Sequence, residues 1–268
     1  TGVAGSGKSS LIHACFAKEH PEAIVIDQSP IGKTSRANAA TFIGVFDLIR
    51  KEFAAATQSE ASLFSFNSKG ACPKCNGQGV LTFELHFLDS VKTVCDECDG
   101  KRYHAEVLEL KFQGKSIADV LDMTINQATE FFKSANIKKH LHILQEVGLG
   151  YLKLGQSLST LSGGESQRLK IANELKKEGN IYIMDEPTTG LHMSDIDNFY
   201  RIIRSLVDNH NTVVIIEHNL DIIRYADWII DMGPEGGKNG GELIFQGTPE
   251  ELVKCERSIT GKYLGRVI

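Results

Sequence analysis

Apolar positions along the chain change period several times. Val45-Phe46, Leu48-Ile49 and Phe53 recur at helical spacing. The same spacing predicts helices from Ser116 to Val147, broken near Asp122–Thr124 and again near Ala135–Asn136. Short unbroken apolar runs at 23–27, 181–184, 212–217 and 228–231 instead predict strands; the last three have the character of strands buried in a parallel sheet. After Leu161 helix and strand alternate three times, the pattern of an α/β fold. Between 59 and 103 the texture differs. Cysteines, glycines and alternating stretches such as Val80-Leu-Thr-Phe-Glu-Leu85 predict a small β-rich insertion there. The polar stretch 28–41, with Pro30, Gly32 and Asn38, reads as a loop.

Composition narrows the class only a little. Hydrophobic residues at 41% and charged residues at 24% are ordinary for a globular protein that buries one large or two modest cores. No apolar run approaches the roughly 18 residues that span a bilayer, and the first residues lack a secretory pattern. A cytoplasmic protein without membrane insertion is expected. A net charge of −5 means that any nucleic-acid contact uses a local patch.

Gly2-Val-Ala-Gly5-Ser-Gly7-Lys8-Ser9-Ser10 is a phosphate-loop pattern, G-x-x-x-x-G-K-[ST]. Glycines let backbone N–H groups turn inward on phosphate oxygens, and the following helix N-terminus favours the anion. Lys8 is then the group for the β- and γ-phosphates of ATP, and Ser9 the hydroxyl for Mg²⁺. The plain alternative is a glycine-rich turn that only caps a helix. Such a loop should follow a strand, and the chain starts one residue before Gly2, which fits a segment of a longer protein. The strand 181–184 ends in Asp185-Glu186, where the first carboxylate can serve Mg²⁺ and the second can act as general base on water. Strands often finish in polar residues for solubility alone; the phosphate loop makes the catalytic reading the stronger one.

Leu161-Ser162-Gly163-Gly164-Glu165-Ser166-Gln167 opens a helix ahead of the acidic strand and matches the signature of ABC ATPases. In that family the serine hydroxyl and glycine N–H groups serve a γ-phosphate held by the opposite subunit. His218, ending the strand 212–217, stands at the position of the family's γ-phosphate sensor, and Gln28 at that of its Q-loop glutamine. The expected fold is therefore α/β: a P-loop NTPase of the ABC type with a mainly helical signature subdomain and an inserted β-rich zinc module. Its segments are 1–58 (ATP-binding core, first part), 59–104 (zinc module), 105–160 (helical subdomain) and 161–268 (signature helix and the rest of the core).

Cys72-Pro-Lys-Cys75 and Cys95-Asp-Glu-Cys98 are separated by nineteen residues, a spacing that turns four thiolates onto one tetrahedral Zn²⁺. Each pair lies in a C-x-x-C-x-G knuckle, the nearest thing to an internal repeat. Four sulfur ligands leave no open position, so the zinc is read as structural. Cys15 and Cys255 stand alone and read as ordinary thiols.

Ile26-Asp-Gln-Ser-Pro-Ile-Gly32, Cys95-Asp-Glu-Cys-Asp-Gly-Lys-Arg-Tyr103 and Val147-Gly-Leu-Gly-Tyr-Leu-Lys-Leu-Gly155 extend these motifs. So do Asp185-Glu-Pro-Thr-Thr-Gly-Leu-His192, Glu217-His-Asn-Leu-Asp221 and Asp231-Met-Gly-Pro-Glu-Gly-Gly237. Over nearly its whole length the chain resembles the C-terminal half of the UvrA family, the ATPase subunit of the bacterial excinuclease. Transporter motors usually carry Ser-Ala-Leu-Asp where Thr189-Gly-Leu-His192 stands here. Phe64–Cys72 and Asn239–Gly247 look more like UvrA-like paralogues associated with drug resistance, the alternative reading alongside an ABC ATPase with a non-DNA partner.

The resemblance implies an ATPase that couples its cycle to damage recognition in excision repair. It also implies a second ABC half (in the same polypeptide or as a homodimer), double-stranded DNA and an excinuclease partner subunit. The charges of 65–104 balance, with Lys69, Lys74, Lys92, Lys101 and Arg102 against Glu84, Asp89, Asp96, Glu97 and Asp99, so most read as a solvated surface. Lys33, Arg36, Lys101 and Arg102 are the candidates for DNA phosphate contacts.

Overall fold

The computed structural model describes residues 1–27, 29, 31, 36–85, 88–175, 179–189, 191 and 193–268; the side chains of 84, 85, 88–90, 194 and 195 are also outside the description. The described residues form two compact units, one built from 1–29 and 163–268 and the other from 30–162.

In the first unit, β1 (Ile24–Ile26), β4 (Ile181–Asp185) and β5 (Thr212–Ile216) form a parallel sheet in the order β1-β4-β5. Its register places Ile26 beside Met184 and Asp185 beside Ile216. Parallel strands with both faces covered read as continuous apolar runs, and Tyr182, Ile183 and Met184 are fully buried. β6 (Ile229–Gly233) does not extend this ladder. It pairs antiparallel with β7 (Glu242–Gly247) and makes one parallel bridge to Gly2. The Thr1 amino group and carbonyl bond to Ile230 O and Met232 N, so the chain enters the phosphate loop already aligned along β6. An apolar cavity of about 190 Å³, walled by Ile216, Ile230, Trp228 and Leu11, lies between β5 and β6.

The helix after the phosphate loop is π-helical over Ser10–Phe16 and continues through Ala17–Glu19. Helix Gly163–Glu174 follows the signature, and helix Met193–Asp208 packs on β5. Of two short C-terminal helices, Pro249–Leu252 packs on β7, and Ile259–Leu264 packs on the first and on helix Leu220–Ile223. The first of them starts at a reciprocal Thr248/Glu251 capping box with proline at its opening position.

In the second unit, helix Val45–Thr57 buries Val45, Phe46, Ile49 and Phe53 on one face, as its spacing predicts. The helices Ile117–Asp122, Ile125–Phe131 and Ala135–Glu146 are separated at 123–124, where the sequence pattern places a break, and at 132–134, just ahead of the expected Ala135–Asn136, which instead open the third helix. The first two each start at a capping box, Ser116/Asp119 and Thr124/Gln127. Two such caps compensate for helices too short to be stable alone, each by about 1 kcal/mol. β2 (Val80–Leu85) and β3 (Leu88–Val94) form the antiparallel hairpin of the insertion. Aromatic contacts knit helix Val45–Thr57 to the insertion: Phe46 stacks on Phe66, and Phe53 meets Phe64 at a tilt. Tyr103, fully buried, donates to Phe64 O at 3.1 Å, and burial pushes its phenol far above the usual range. Residues 30–58, grouped by the sequence reading with the ATP-binding core, share this unit with the insertion and the helices.

Candidate functional site

The phosphate loop takes the backbone that its glycines permit. Gly2, Gly5 and Gly7 have φ of 125°, 74° and 96°, values that side-chain-bearing residues rarely adopt. A Cβ on Gly2 would also stand 2.0 Å from Met232 O. Lys8 is 8% exposed, and its Nζ donates to Val3 O (2.7 Å) and Gly2 O (3.1 Å), folding the ammonium into the loop. Burial lowers the Lys8 pKa below the usual lysine value, against the pull of Glu186, Asp185 and Asp231. Ser6 Oγ is fully buried in the loop with no hydrogen-bond partner among the described residues. A buried hydroxyl without a partner is costly, and a phosphate oxygen supplies an acceptor. Loop shape, inward lysine and orphaned hydroxyl together fit a nucleotide's phosphates.

The sheet register brings the other half of the site to the same place. Ser9 Oγ donates to Asp185 Oδ2 at 3.4 Å, although 176 positions separate the two residues. His13 Nε2 reaches the same oxygen at 3.2 Å. A hydroxyl and a carboxylate side by side are the hard oxygen donors that Mg²⁺ takes. Ser10 opens the helix and is exposed. Glu186 has φ of 43°, a strained conformation for a side-chain-bearing residue, and its Oε1 lies 3.6 Å from His218 Nε2. Such strain persists only where the surroundings fix it, and it gathers at working sites.

The signature residues Gly163 and Gly164 open helix Gly163–Glu174, while Ser162 is exposed at the end of the second unit. Two polar residues of this helix tie it to the strand ends. Gln167, fully buried, donates from Nε2 to Ile26 O (3.1 Å) and Asp185 O (3.2 Å). Lys170 Nζ contacts Asp27 Oδ1 (2.6 Å), Asp27 O (3.0 Å) and Ser29 Oγ (2.9 Å). Burial opposes the Asp27 charge, but Lys170 and Ser29 outweigh it and hold the carboxyl down to about 2. Gln28, the expected Q-loop residue, lies outside the described residues, as do Lys33 and His192.

The stretch Gly236–Gly241 braces the phosphate loop from outside. Gly237 N donates to Gly5 O and Gly241 N to Ser6 O, at 3.1 and 3.0 Å. A Cβ on Gly236 would come within 2.6 Å of Ala4 O, so the brace needs glycine to lie this close. Sequence reasoning missed this contact, and with it His13, Gln167 and Glu217. The double glycines of 236–237 and 240–241 were the available signal for the brace. Polar residues at buried positions leave no such signal.

Cys72, Cys75, Cys95 and Cys98 converge with all four sulfurs within 4.8 Å of one another, each no more than 6% exposed. The Cys72–Cys95 and Cys75–Cys98 Sγ separations are 4.0 and 3.7 Å. A tetrahedron with metal–sulfur bonds of about 2.3 Å has edges of about 3.8 Å, whereas a disulfide needs about 2.05 Å. The donor set therefore fits one tetrahedral ion. The knuckles repeat each other, with Asn76-Gly77 at φ 49° and 74° and Asp99-Gly100 at 50° and 74°. Gly77 has no room for a Cβ, which would lie 1.7 Å from Phe66 O. Burial pushes the Cys98 thiol up to about 12; at Cys75 the Gly79 N–H and neighbouring sulfurs overcome burial and hold the thiol below its usual value.

Of the DNA-contact candidates, Arg36 and Lys101 are exposed. Arg102 turns inward instead. Its Nε donates to Gly77 O at 2.7 Å, and its guanidinium lies 3.7 Å from the centre of the Phe66 ring. Among the described residues, no helix is long and apolar enough to cross a membrane.

The ABC transporter family model matches residues 1–189. UvrABC system protein A of Aquifex aeolicus is 48% identical over 301 residues, covering all of this chain and 32% of that protein. The same protein of Staphylococcus aureus strain COL is also 48% identical with the same coverage. The crystal structure of UvrA2 from Deinococcus radiodurans superimposes with a TM-score of 0.89 at 43% identity, over all of this chain and 36% of that one. The chain thus spans about a third of the length of these relatives. The drug-resistance reading drawn from 64–72 and 239–247 is not favoured, because these curated relatives are named UvrABC system protein A. The chain belongs to the ABC transporter family, and over its whole length it is similar to proteins named UvrA.

Proposed function

We propose that this chain is one nucleotide-binding half of a UvrA-type protein and couples ATP binding and hydrolysis to recognition of damaged double-stranded DNA. The observation that carries this reading is the combination, in one chain similar to UvrA throughout, of the Lys8–Ser9–Asp185–Glu186–His218 site and the four-cysteine hairpin module. Lys8 and the N–H groups of the loop would hold the β- and γ-phosphates. Ser9 and Asp185 would hold Mg²⁺, which when bound neutralises charge on the phosphate oxygens. Glu186 orients the attacking water and takes its proton. His218 holds its imidazole beside Glu186, and Gln28 completes the set as the Q-loop residue. Ser162, Gly163 and Gly164 serve the nucleotide of a second ABC half, in the same polypeptide or a second copy. The four segments 1–58, 59–104, 105–160 and 161–268 are the functional division that this reading implies. The protein works in the cytoplasm, and an excinuclease subunit is its downstream partner.

The assembled two-half protein is expected to bind duplex DNA through phosphates, with affinity falling about 10³–10⁵-fold from 50 to 200 mM salt if six to ten are contacted. Arg36→Ala and Lys101→Ala should each lower the salt slope by about one. Fluorescence anisotropy over a salt series measures this. Absent or salt-insensitive binding would overturn the DNA reading while leaving the ATPase reading intact.

The cysteine cluster is proposed to hold one structural Zn²⁺. Elemental analysis of reduced protein should find about one zinc per chain. Cys75→Ser should release it and loosen residues 59–104, because structural zinc supplies folding free energy. The phosphate loop belongs to the other unit, so nucleotide binding should survive. Reduced, carefully purified protein without zinc would sink the assignment.

A further inference from the structure

We propose that Glu217 is a positioning residue for hydrolysis, a carboxylate clamp that sets the general base and the switch histidine against each other; the inference rests on the ATPase reading of the site. β4 and β5 are paired up to Asp185 and Ile216, and Glu186 N donates to Ile216 O at 2.9 Å. Past that rung the two chains part, one toward Thr188 and the other toward His218. The Glu217 side chain spans the gap. Its Oε1 accepts from Thr188 N (3.0 Å) and from Thr188 Oγ1 in a still closer contact. Its Oε2 accepts from His218 N (2.8 Å) and Asn219 N (2.9 Å).

Four donors fill the lone-pair sites of a carboxylate, and Glu217 is only 4% exposed. Burying a carboxylate is costly unless it is hydrogen-bonded this fully, and every donor here belongs to the two turns that carry reacting side chains. On one side Thr189 N closes a turn on Glu186 O at 3.1 Å, so anchoring Thr188 fixes the strained Glu186 from its C-terminal side. On the other side the His218 and Asn219 amides are drawn inward. Asn219 then caps helix Leu220–Ile223 through Asp221 N. The imidazole is left facing Glu186, 3.6 Å from its carboxylate. Glutamine at 217 would present an amide N–H₂ to donors on one side or the other. Half of the clamp would then open with almost no change in volume.

The test uses the whole chain with Glu217→Gln, His218→Ala and the double variant, followed by Mg²⁺–ATP turnover, nucleotide binding and thermal melting. Glu217→Gln should lower kcat about 10- to 100-fold while nucleotide affinity changes less than about threefold, the pattern of an interaction that matters in the transition state. On the His218→Ala background it should cost less than about twofold more, since residues acting as one unit are not additive. Thr188→Val should reproduce part of the loss and Thr188→Ser restore it. Multiplicative effects, or an unchanged kcat in Glu217→Gln, would overturn the clamp. Wild-type protein that binds nucleotide yet shows no turnover would instead count against the ATPase reading. Amide hydrogen exchange then decides the clamp by itself: His218 and Asn219 amides should exchange at least about 10-fold faster in Glu217→Gln, and unchanged exchange there refutes it.

Discussion

Glu186→Gln is expected to leave nucleotide binding nearly intact and to lower hydrolysis by about 10²-fold or more, the scale of losing a positioned general base. The groups proposed to hold phosphate and metal are Lys8, Ser9 and Asp185, and the contacts described for them run to other atoms than the Glu186 carboxylate. Lys8 is held by Val3 O and Gly2 O, and Asp185 Oδ2 is engaged by Ser9 and His13. Glutamine keeps the length of the side chain and can keep the 43° backbone, so strain does not confuse the result. What it loses is the ability to take a proton. ATP should therefore accumulate on the variant in filter binding, while phosphate release in a turnover assay falls. Turnover equal to the wild type would remove Glu186 from the mechanism and point to another base.

Much of this site was legible because its residues sit where apolar runs stop. The strand predicted at 181–184 ends at Asp185 in the structure, and that predicted at 212–217 ends at Ile216, so motif and strand end mark the same point. The four cysteines were legible for a different reason: two C-x-x-C pairs nineteen residues apart match a tetrahedral donor set, and the glycine after each pair marks a left-handed turn. Other features left no trace in a pattern of apolar positions. Over seven residues, Ser10–Phe16 cannot reveal a π-helical rather than α-helical period. β7 carries a short apolar run after Gly240-Gly241, a hairpin signal, yet nothing local shows that it turns β6 away from a purely parallel sheet. Helix Gly163–Glu174 buries Ser166, Gln167, Arg168 and Glu174 beside Leu169 and Ile171, so it lacks the apolar stripe by which a helix announces its inner face. Glu217 is the extreme case. As a charged residue at a strand end it reads as solvated, and only the four converging donors reveal why it is buried.

Lys8→Ala and Ser162→Ala chains should each be close to inactive alone and should recover activity when mixed. The chain contains one phosphate loop and one signature, and in the proposed pairing Ser162 and Gly164 act on the nucleotide of the facing half. A chain with Lys8→Ala then keeps a working signature, and one with Ser162→Ala keeps a working phosphate loop. A mixed pair assembles one intact composite site and one doubly defective one. If pairing is random and two-fold symmetric, half of the dimers are mixed and about a quarter of all sites are whole, which sets the ceiling of recovery. The same argument makes the specific activity of the unmodified chain rise with its concentration, because transient dimers carry the turnover. Light scattering and turnover measured on the same dilution series test both statements together. Constant specific activity in protein that stays monomeric, or no recovery from a mixture shown to form dimers, would mean that one chain closes its own site. The signature would then have to serve the nucleotide of its own chain.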